Sequence, residues 1–169
     1  MSSKKRYPVE RTLYMQTTGR LLPRRISQIL REINSTFAVW INPDQGNGID
    51  LKVWHRNELV IAGEILNWSI KSKLPEKRRE TMISNLHEFP CRKLLVYTTL
   101  KATHVSRFIQ CGIHTLEIGY QLLPRFYYDF FLQKGQVIKR RIDSSATKED
   151  IRNKMVGYLK KHFPHMSIY

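Results

Sequence analysis

The sequence predicts a single α/β domain, and three observations carry that expectation. Apolar residues switch between helical and extended spacing along residues 23–118 in the order α, β, β, β, α, β, α, β. Residues 49–68, IDLKVWHRNELVIAGEILNW, hold two arms rich in β-branched and apolar side chains, 49–54 and 59–66, about the polar break His55-Arg56-Asn57-Glu58, which is the pattern of a β-hairpin. The 169 residues have one ordinary domain's length and contain no internal repeat, low-complexity tract or flexible linker. The expected layout is a core over 23–118, a basic N-terminal arm over 1–22, and an aromatic segment with a final helix over 119–169.

From Pro23 to Asn34 the spacing is helical: proline suits a first turn, and Ile26, Ile29, Leu30 and Ile33 recur on one face while Arg24, Arg25 and Arg31 point elsewhere. Phe37–Ile41 reads as a short buried strand, and residues 42–48, NPDQGNG, as a loop dense in turn formers that delivers the chain to Asp50. After the hairpin a basic connection, 69–74, leads to a helix opening at Pro75, with Glu76 in its first turn and Met82, Ile83 and Leu86 on its buried side. Cys91–Tyr97 suits a central strand, Thr103–Cys111 a short helix ended by Gly112, and His114–Ile118 another strand. Residues 120–143 are aromatic-rich and broken by Pro124 and Gly135, and periodicity does not decide between strands and an interface segment. The final helix is expected from a capping box at Thr147-Lys148-Glu149-Asp150, with Ile151, Met155, Leu159 and Phe163 on its buried stripe and Lys154, Lys160 and Lys161 on a basic outer surface.

The hairpin brings two carboxylates together. If Asn57 is the middle of a three-residue turn, paired residue numbers sum to 114, which sets Asp50 opposite Glu64; a two-residue turn shifts this by only one position. Directly opposed β-carbons lie about 4.5–5.5 Å apart. Like charges at that distance raise one pKa unless a proton or cation intervenes, and a divalent metal is the usual partner of hard oxygen ligands. Asp50 and Glu64 are therefore the expected metal ligands, with the Ile65 carbonyl completing the set, and Mg²⁺ or Mn²⁺ suits such ligands better than Zn²⁺. Lys52 shares their face by strand alternation and is either a catalytic cation or a salt-bridge partner.

Gly48-Ile49-Asp50 and Glu64-Ile65-Leu66-Asn67-Trp68 carry a family resemblance. The chain resembles the PD-(D/E)XK nuclease superfamily, in particular the archaeal Holliday-junction resolvases and Mrr-like restriction endonucleases. Many of its members have an Asp near the start of one strand and Glu-x-Lys, often followed by Asn and an aromatic residue, at the end of the next. The element order over 23–118 matches that family's core. The resemblance implies a restriction-endonuclease-like three-layer α/β/α sandwich with a central mixed sheet, in which the helix after the hairpin crosses over, right-handed, to a parallel strand. It also implies Mg²⁺-dependent hydrolysis of DNA phosphodiester bonds, branched or modified DNA as substrate, and a homodimer. Where the family has its lysine this chain has Leu66, so a second function stands beside cleavage: a nuclease-fold protein that binds nucleic acid without cutting it. Lys52 is the expected stand-in for the missing lysine, with Lys71 and Lys73 just beyond the strand. Glu32 sits where some family members use an outer acid but later in its helix, and reads as a surface acid. Asp44 follows Pro43 but belongs to the loop.

A net charge of +15 and a pI near 10.1 suit a polyanionic partner, with DNA foremost. Residues 1–31 hold eight Lys or Arg against one acid, 32–117 eleven against nine, and 118–169 ten against four, so the ends are the expected gripping surface. Phosphate contacts are best placed at Arg20, Arg24 and Arg25 about the first helix and at Lys71, Lys73, Lys77, Arg78 and Arg79 about the second, a solvated basic surface being the alternative for each. A basic RNA-associated structural protein is a third reading, on charge alone. No apolar run approaches the roughly 18 residues of a membrane-spanning helix, and the N-terminus lacks the apolar core of a secretory signal, so an intracellular, cytoplasmic protein with no membrane partner and no small-molecule cofactor is expected. Cys91 and Cys111 lack metal-ligand spacing and are expected as buried free thiols.

Overall fold

The structure is a computed structural model that describes residues 11–43 and 48–168. Helices and strands alternate along them as α1 (Arg11–Ile33), β1 (Phe37–Ile41), β2 (Leu51–His55), β3 (Glu58–Leu66), α2 (Glu76–His87), β4 (Arg92–Tyr97), α3 (Ala102–Gln110), β5 (His114–Glu117), β6 (Gln121–Leu123), α4 (Arg125–Gln133), β7 (Arg140–Ile142) and α5 (Ser145–His162). The eight elements expected over residues 23–118 are present in the expected order. Strands β1 to β5 form one mixed sheet in chain order, antiparallel from β1 to β3 and parallel from β3 to β5, while β6 pairs with β7 in a small parallel sheet.

Helices cover both faces of the larger sheet. The central strands β3 and β4 are buried along most of their lengths, as strands between two helical layers must be. On one face Leu51, Val53, Ile61, Ile65, Leu94 and Val96 pack with Leu22, Ile26, Ile29, Leu30 and Ile33 of α1 and with Ile151, Met155, Tyr158 and Leu159 of α5. On the other, Ala62, Leu66, Leu95 and Tyr97 pack with Met82, Ile83 and Leu86 of α2 and Phe108 of α3. Gly63 lies at a close approach, since a β-carbon there would meet the Leu94 carbonyl at 3.0 Å and the Leu51 side chain at 3.3 Å, and backbone or core would have to shift to admit one.

Several expectations are corrected. Helix α1 begins at Arg11, so residues 11–22 are not an arm; Pro23 lies inside the helix rather than at its first turn. Tyr14, Thr18, Leu22 and Ile26, spaced by four, are all buried, and that burial outweighs the one backbone hydrogen bond, to the Gly19 carbonyl, that proline cannot make. The basic stretch 1–10 and Asp44 lie outside the described residues. Ser144, not Thr147, caps α5: its hydroxyl accepts from the Thr147 N–H, and the Thr147 hydroxyl accepts from the Ser144 N–H. Lys154 is no solvated lysine, because its ammonium donates to the Ile118 carbonyl and to Asp150. The segment that periodicity leaves open becomes β6, α4 and β7, with Tyr127 and Phe131 of α4 packed edge-on against Tyr14 at centroid distances of 4.9 and 5.8 Å. Cys91 and Cys111 are free and half-buried. No helix among the described residues is long and apolar enough to cross a membrane.

Asn67 ties three elements together at the end of β3. Its Nδ2 donates to the Thr18 carbonyl of α1 and to the Leu122 carbonyl of β6, and its Oδ1 accepts from the Leu122 N–H, each at 2.8 Å. Asn67→Ala strips buried backbone groups of this partner, at about 1–3 kcal/mol for each left unsatisfied. The expected loss in urea unfolding is about 3 kcal/mol; a loss below about 1 kcal/mol would show that water replaces the amide.

Candidate active site

The site is built by the register of the hairpin. Its turn consists of Arg56 and Asn57, both in the left-handed region at φ 51° and 69°, which makes it a two-residue primed turn rather than the expected three-residue one. That turn pairs His55 with Glu58 and Trp54 with Leu59, and continued unchanged it would set Asp50 opposite Gly63. A bulge at Val60 intervenes, so Val53 pairs with Ile61, Lys52 with Ala62 and Leu51 with Gly63, which brings Asp50, just before β2, beside Glu64. The Asp50 N–H donates to the Gly63 carbonyl at 3.0 Å. One Asp50 carboxylate oxygen accepts the Ile65 N–H at 2.9 Å, and the Asp50 and Glu64 carboxyl groups are hydrogen-bonded to each other. Across β1 the Asn42 N–H donates to the Asp50 carbonyl at 2.9 Å, which extends the ladder to the site's edge.

The two carboxyl groups lie in a cavity of about 370 Å³. Helix α1 contributes Gly19, Arg20, Pro23 and Arg24; the β1–β2 connection contributes Asn42, Pro43 and Gly48; and α2 contributes Arg78, Thr81, Met82 and Asn85. Among the described residues, the charged side chains lining it are Asp50, Glu64, Arg20, Arg24 and Arg78. Arg78 is the cation whose charge acts on both carboxyl groups, and its guanidinium lies 5.1 Å from the Trp68 ring centroid. The sequence places it only among phosphate contacts. Its closeness to the carboxylates was legible in the helix, since Arg78 stands one turn before the buried Met82 and so shares the face that meets the sheet.

Burial is the chief cause that raises the pKa of both acids, and Glu64, 4% exposed, is pushed up to about 10, with Asp50 adding to the shift and Arg78 opposing it. At neutral pH the pair therefore holds a proton between its oxygens. The donor set is hard oxygen only: two carboxylates plus the Ile65 carbonyl. The Leu66 carbonyl accepts from Thr98 on the β4 side and the Gly63 carbonyl accepts from Asp50 on the β2 side, so alternation turns the Ile65 carbonyl toward the Asp50 edge. Among the described residues no group of three or more His, Cys, Asp or Glu could hold a metal ion.

Of the other expected site residues, Arg20 and Arg24 reach the cavity. Lys52 shares the face but stands over aromatic rings, 4.9 Å from Trp40 and 5.1 Å from Phe89, and does not line the cavity. Its cross-strand partner is Trp40, whose ring draws the ammonium away from the carboxylates. Arg25 is turned elsewhere: its guanidinium forms a forked pair with Asp143 at 3.1 and 2.7 Å, and binds Gln28 at 2.6 Å. Arg79 is committed to Glu80 at 2.9 Å and His104 at 3.1 Å. Lys71, Lys73 and Lys77 are exposed outside the cavity lining. Glu32 pairs with Lys148 at 3.0 Å, remote from the site. Leu66, 4% exposed, packs with Leu74 and Met82 in the apolar cluster beside the cavity. Asn67 faces away from Glu64, into its clamp with α1 and β6.

A raised carboxyl pKa fixes the sign of a pH effect. Between the ordinary glutamate value of 4.5 and about 10, folded Glu64 keeps a proton that the unfolded chain releases, so this group lowers stability as pH rises. Glu64→Gln keeps the hydrogen-bonding shape without that proton. At pH 7 the variant should be more stable than the wild type by about 1–3 kcal/mol, with the gap closing as pH falls toward 4.5. A gap independent of pH in denaturant titrations would show that Glu64 is ionised in the folded protein.

Comparison of the chain with models of known protein families, with curated proteins and with solved structures found no match.

Proposed function

We propose that this protein is a metal-dependent DNA endonuclease with a restriction-endonuclease-like fold, acting as a homodimer inside the cell. The observation that carries the proposal is Asp50 hydrogen-bonded to Glu64 in a cavity whose other charged side chains, among the described residues, are three arginines. An antiparallel hairpin joined through a helix to two parallel strands, with helices on both faces, supports the fold. The exposed apolar side chains Leu13, Met15, Phe126, Leu132 and Ile138 support self-association.

The oxygen ligands fit Mg²⁺ or Mn²⁺, held by Asp50, Glu64 and the Ile65 carbonyl. Bound there, such a cation supplies a Lewis acid and an activated water. The chain's own groups do the rest. The Ile65 N–H fixes one Asp50 oxygen and so orients the carboxylate. Arg78 puts a positive charge beside both acids and opposes the charge that develops on the phosphoryl oxygens, the task that the resembled family gives to its lysine. Arg20 and Arg24, one helical turn apart, hold the neighbouring phosphates and offset the repulsion of DNA by the acids.

One observation favours a second reading, binding without cleavage: Leu66 fills the lysine position with a side chain packed into the apolar cluster under α2. Incubation with supercoiled, linear and four-way-junction DNA in Mg²⁺, Mn²⁺ or EDTA separates the two. Asp50→Ala and Glu64→Ala should each lower cleavage by about 10³-fold or more, and Arg78→Ala by about 10²-fold. Lys52→Ala should change the rate by less than about threefold, since only a weak ring contact is lost. Wild-type protein that binds DNA but cuts none of these forms, with no calorimetric Mn²⁺ binding, leaves the second reading in its place.

Binding itself should weaken steeply with salt. Charge reversal at Arg20 and Arg24 should reduce affinity for all sequences alike, whereas Arg25→Glu should chiefly lower stability by breaking the pair with Asp143. Sizing by light scattering tests the dimer, and a monomer at micromolar concentration counts against it.

A further inference from the structure

We propose that a second cavity, at the opposite end of the parallel strands from Asp50 and Glu64, is an anion site that takes a phosphate monoester. The acids lie where β3 runs beside the C-terminal end of β4, with Glu64 paired to Leu95. The second cavity, of about 480 Å³, lies instead where β4 and β5 begin, and is lined by Cys91, Arg92, Lys93, His114, Tyr158 and His162 among others. Nothing in this assignment rests on the nuclease reading.

The chemistry of the lining is one-sided. No carboxylate is among its described residues. The Arg92 guanidinium stands within 3.2 Å of the His162 Nδ1. Arginine can only donate, so that nitrogen accepts, and the neutral ring carries its proton on Nε2. Burial and the neighbouring Arg92 and Lys161 lower the His162 pKa and keep it in this neutral form. The Nε2–H has no partner, and neither does the buried Tyr158 hydroxyl. His114 stacks edge-on to His162 at 4.6 Å and lies 4.9 Å from the Tyr158 ring, which holds these groups as one cluster. Both of these donors are sealed beneath the cavity floor, and the groups left at its mouth are the Arg92 guanidinium and the Lys93 ammonium, which also donates to the Cys91 carbonyl at 3.1 Å. Two cations with no described acid beside them suit a ligand with negative charge and several oxygens. A phosphate monoester dianion supplies terminal oxygens to the arginine fork and the lysine together. The volume falls within the ~300–1,000 Å³ of small-ligand pockets, room for more than a bare ion.

The phosphate could belong to a free nucleotide or to the 5′ end of a strand, and one experiment separates the sources. Titration with inorganic phosphate and with thymidine 5′-monophosphate at constant ionic strength is followed through the ring proton signals of His114 and His162. Saturable shifts of these two signals are expected with both probes, and Arg92→Ala and Lys93→Ala should each weaken them at least fivefold. Both substituted side chains lie at the cavity rim rather than in the core, and unchanged unfolding midpoints confirm intact variants. A 5′-phosphorylated oligonucleotide that shifts the two signals at lower concentration than its 5′-hydroxyl form assigns the strand end; equal responses from the two oligonucleotides, with saturation by thymidine 5′-monophosphate, assign the free nucleotide. No saturation with either probe, the same shifts from chloride at matched ionic strength, or affinity unchanged in both variants overturns the proposal.

Discussion

A single extra residue in β3 decides which groups meet in the site. Val60 has no partner in β2, and the bulge it makes moves the later pairs by one position, so that Leu51 meets Gly63 and Asp50, just before β2, comes beside Glu64. A one-residue slip turns a strand's side chains to the other face. Without the bulge, Glu64 would face the apolar cluster under α1 and α5, away from Asp50. The two-residue turn, the bulge and the Gly63 close approach thus act together to hold two acids in contact, and burial then makes them share a proton.

The same pair shows how much of the site the sequence carried and how it did so. A three-residue turn and a two-residue turn followed by a bulge give the same register beyond the bulge, so counting across Asn57 reached the correct partner through a turn that does not form. The order of elements was legible because each strand and helix repeats its apolar residues at its own period. The first half of α1 was hidden by Pro23, whose local breaking tendency is overridden by buried side chains on the rows before it. The fate of individual cations was not legible. Arg25 meets Asp143 across 118 positions of chain, and Lys52 is turned aside by the aromatic residue opposite it, neither of which periodicity can register.

The basic residues therefore fall into groups with different work. Arg25, Arg79, Arg107 and Lys154 are bound to carboxylates or backbone and brace the helices. Arg20, Arg24 and Arg78 share a cavity with two acids that burial keeps from both ionising. Because that pair retains one proton, it carries less negative charge than the three arginines carry positive, and an anionic ligand meets net attraction from the described residues there.

The residues that close the core also set an order for its assembly. Tyr120, Leu122, Ile151, Met155, Tyr158 and Leu159 belong to the same cluster as Leu22 and Ile61, so a nascent chain that has emerged only to residue 118 already carries the complete five-stranded sheet and both acids, yet leaves one face of that sheet half-covered. Helix α1 is made first and waits for α5 to seal the layer they share. The carboxylates lie on the other face, in a cavity whose described lining ends at Asn85 of α2, so their surroundings are all synthesised before β4 emerges, while the layer behind them stays open until α5 arrives.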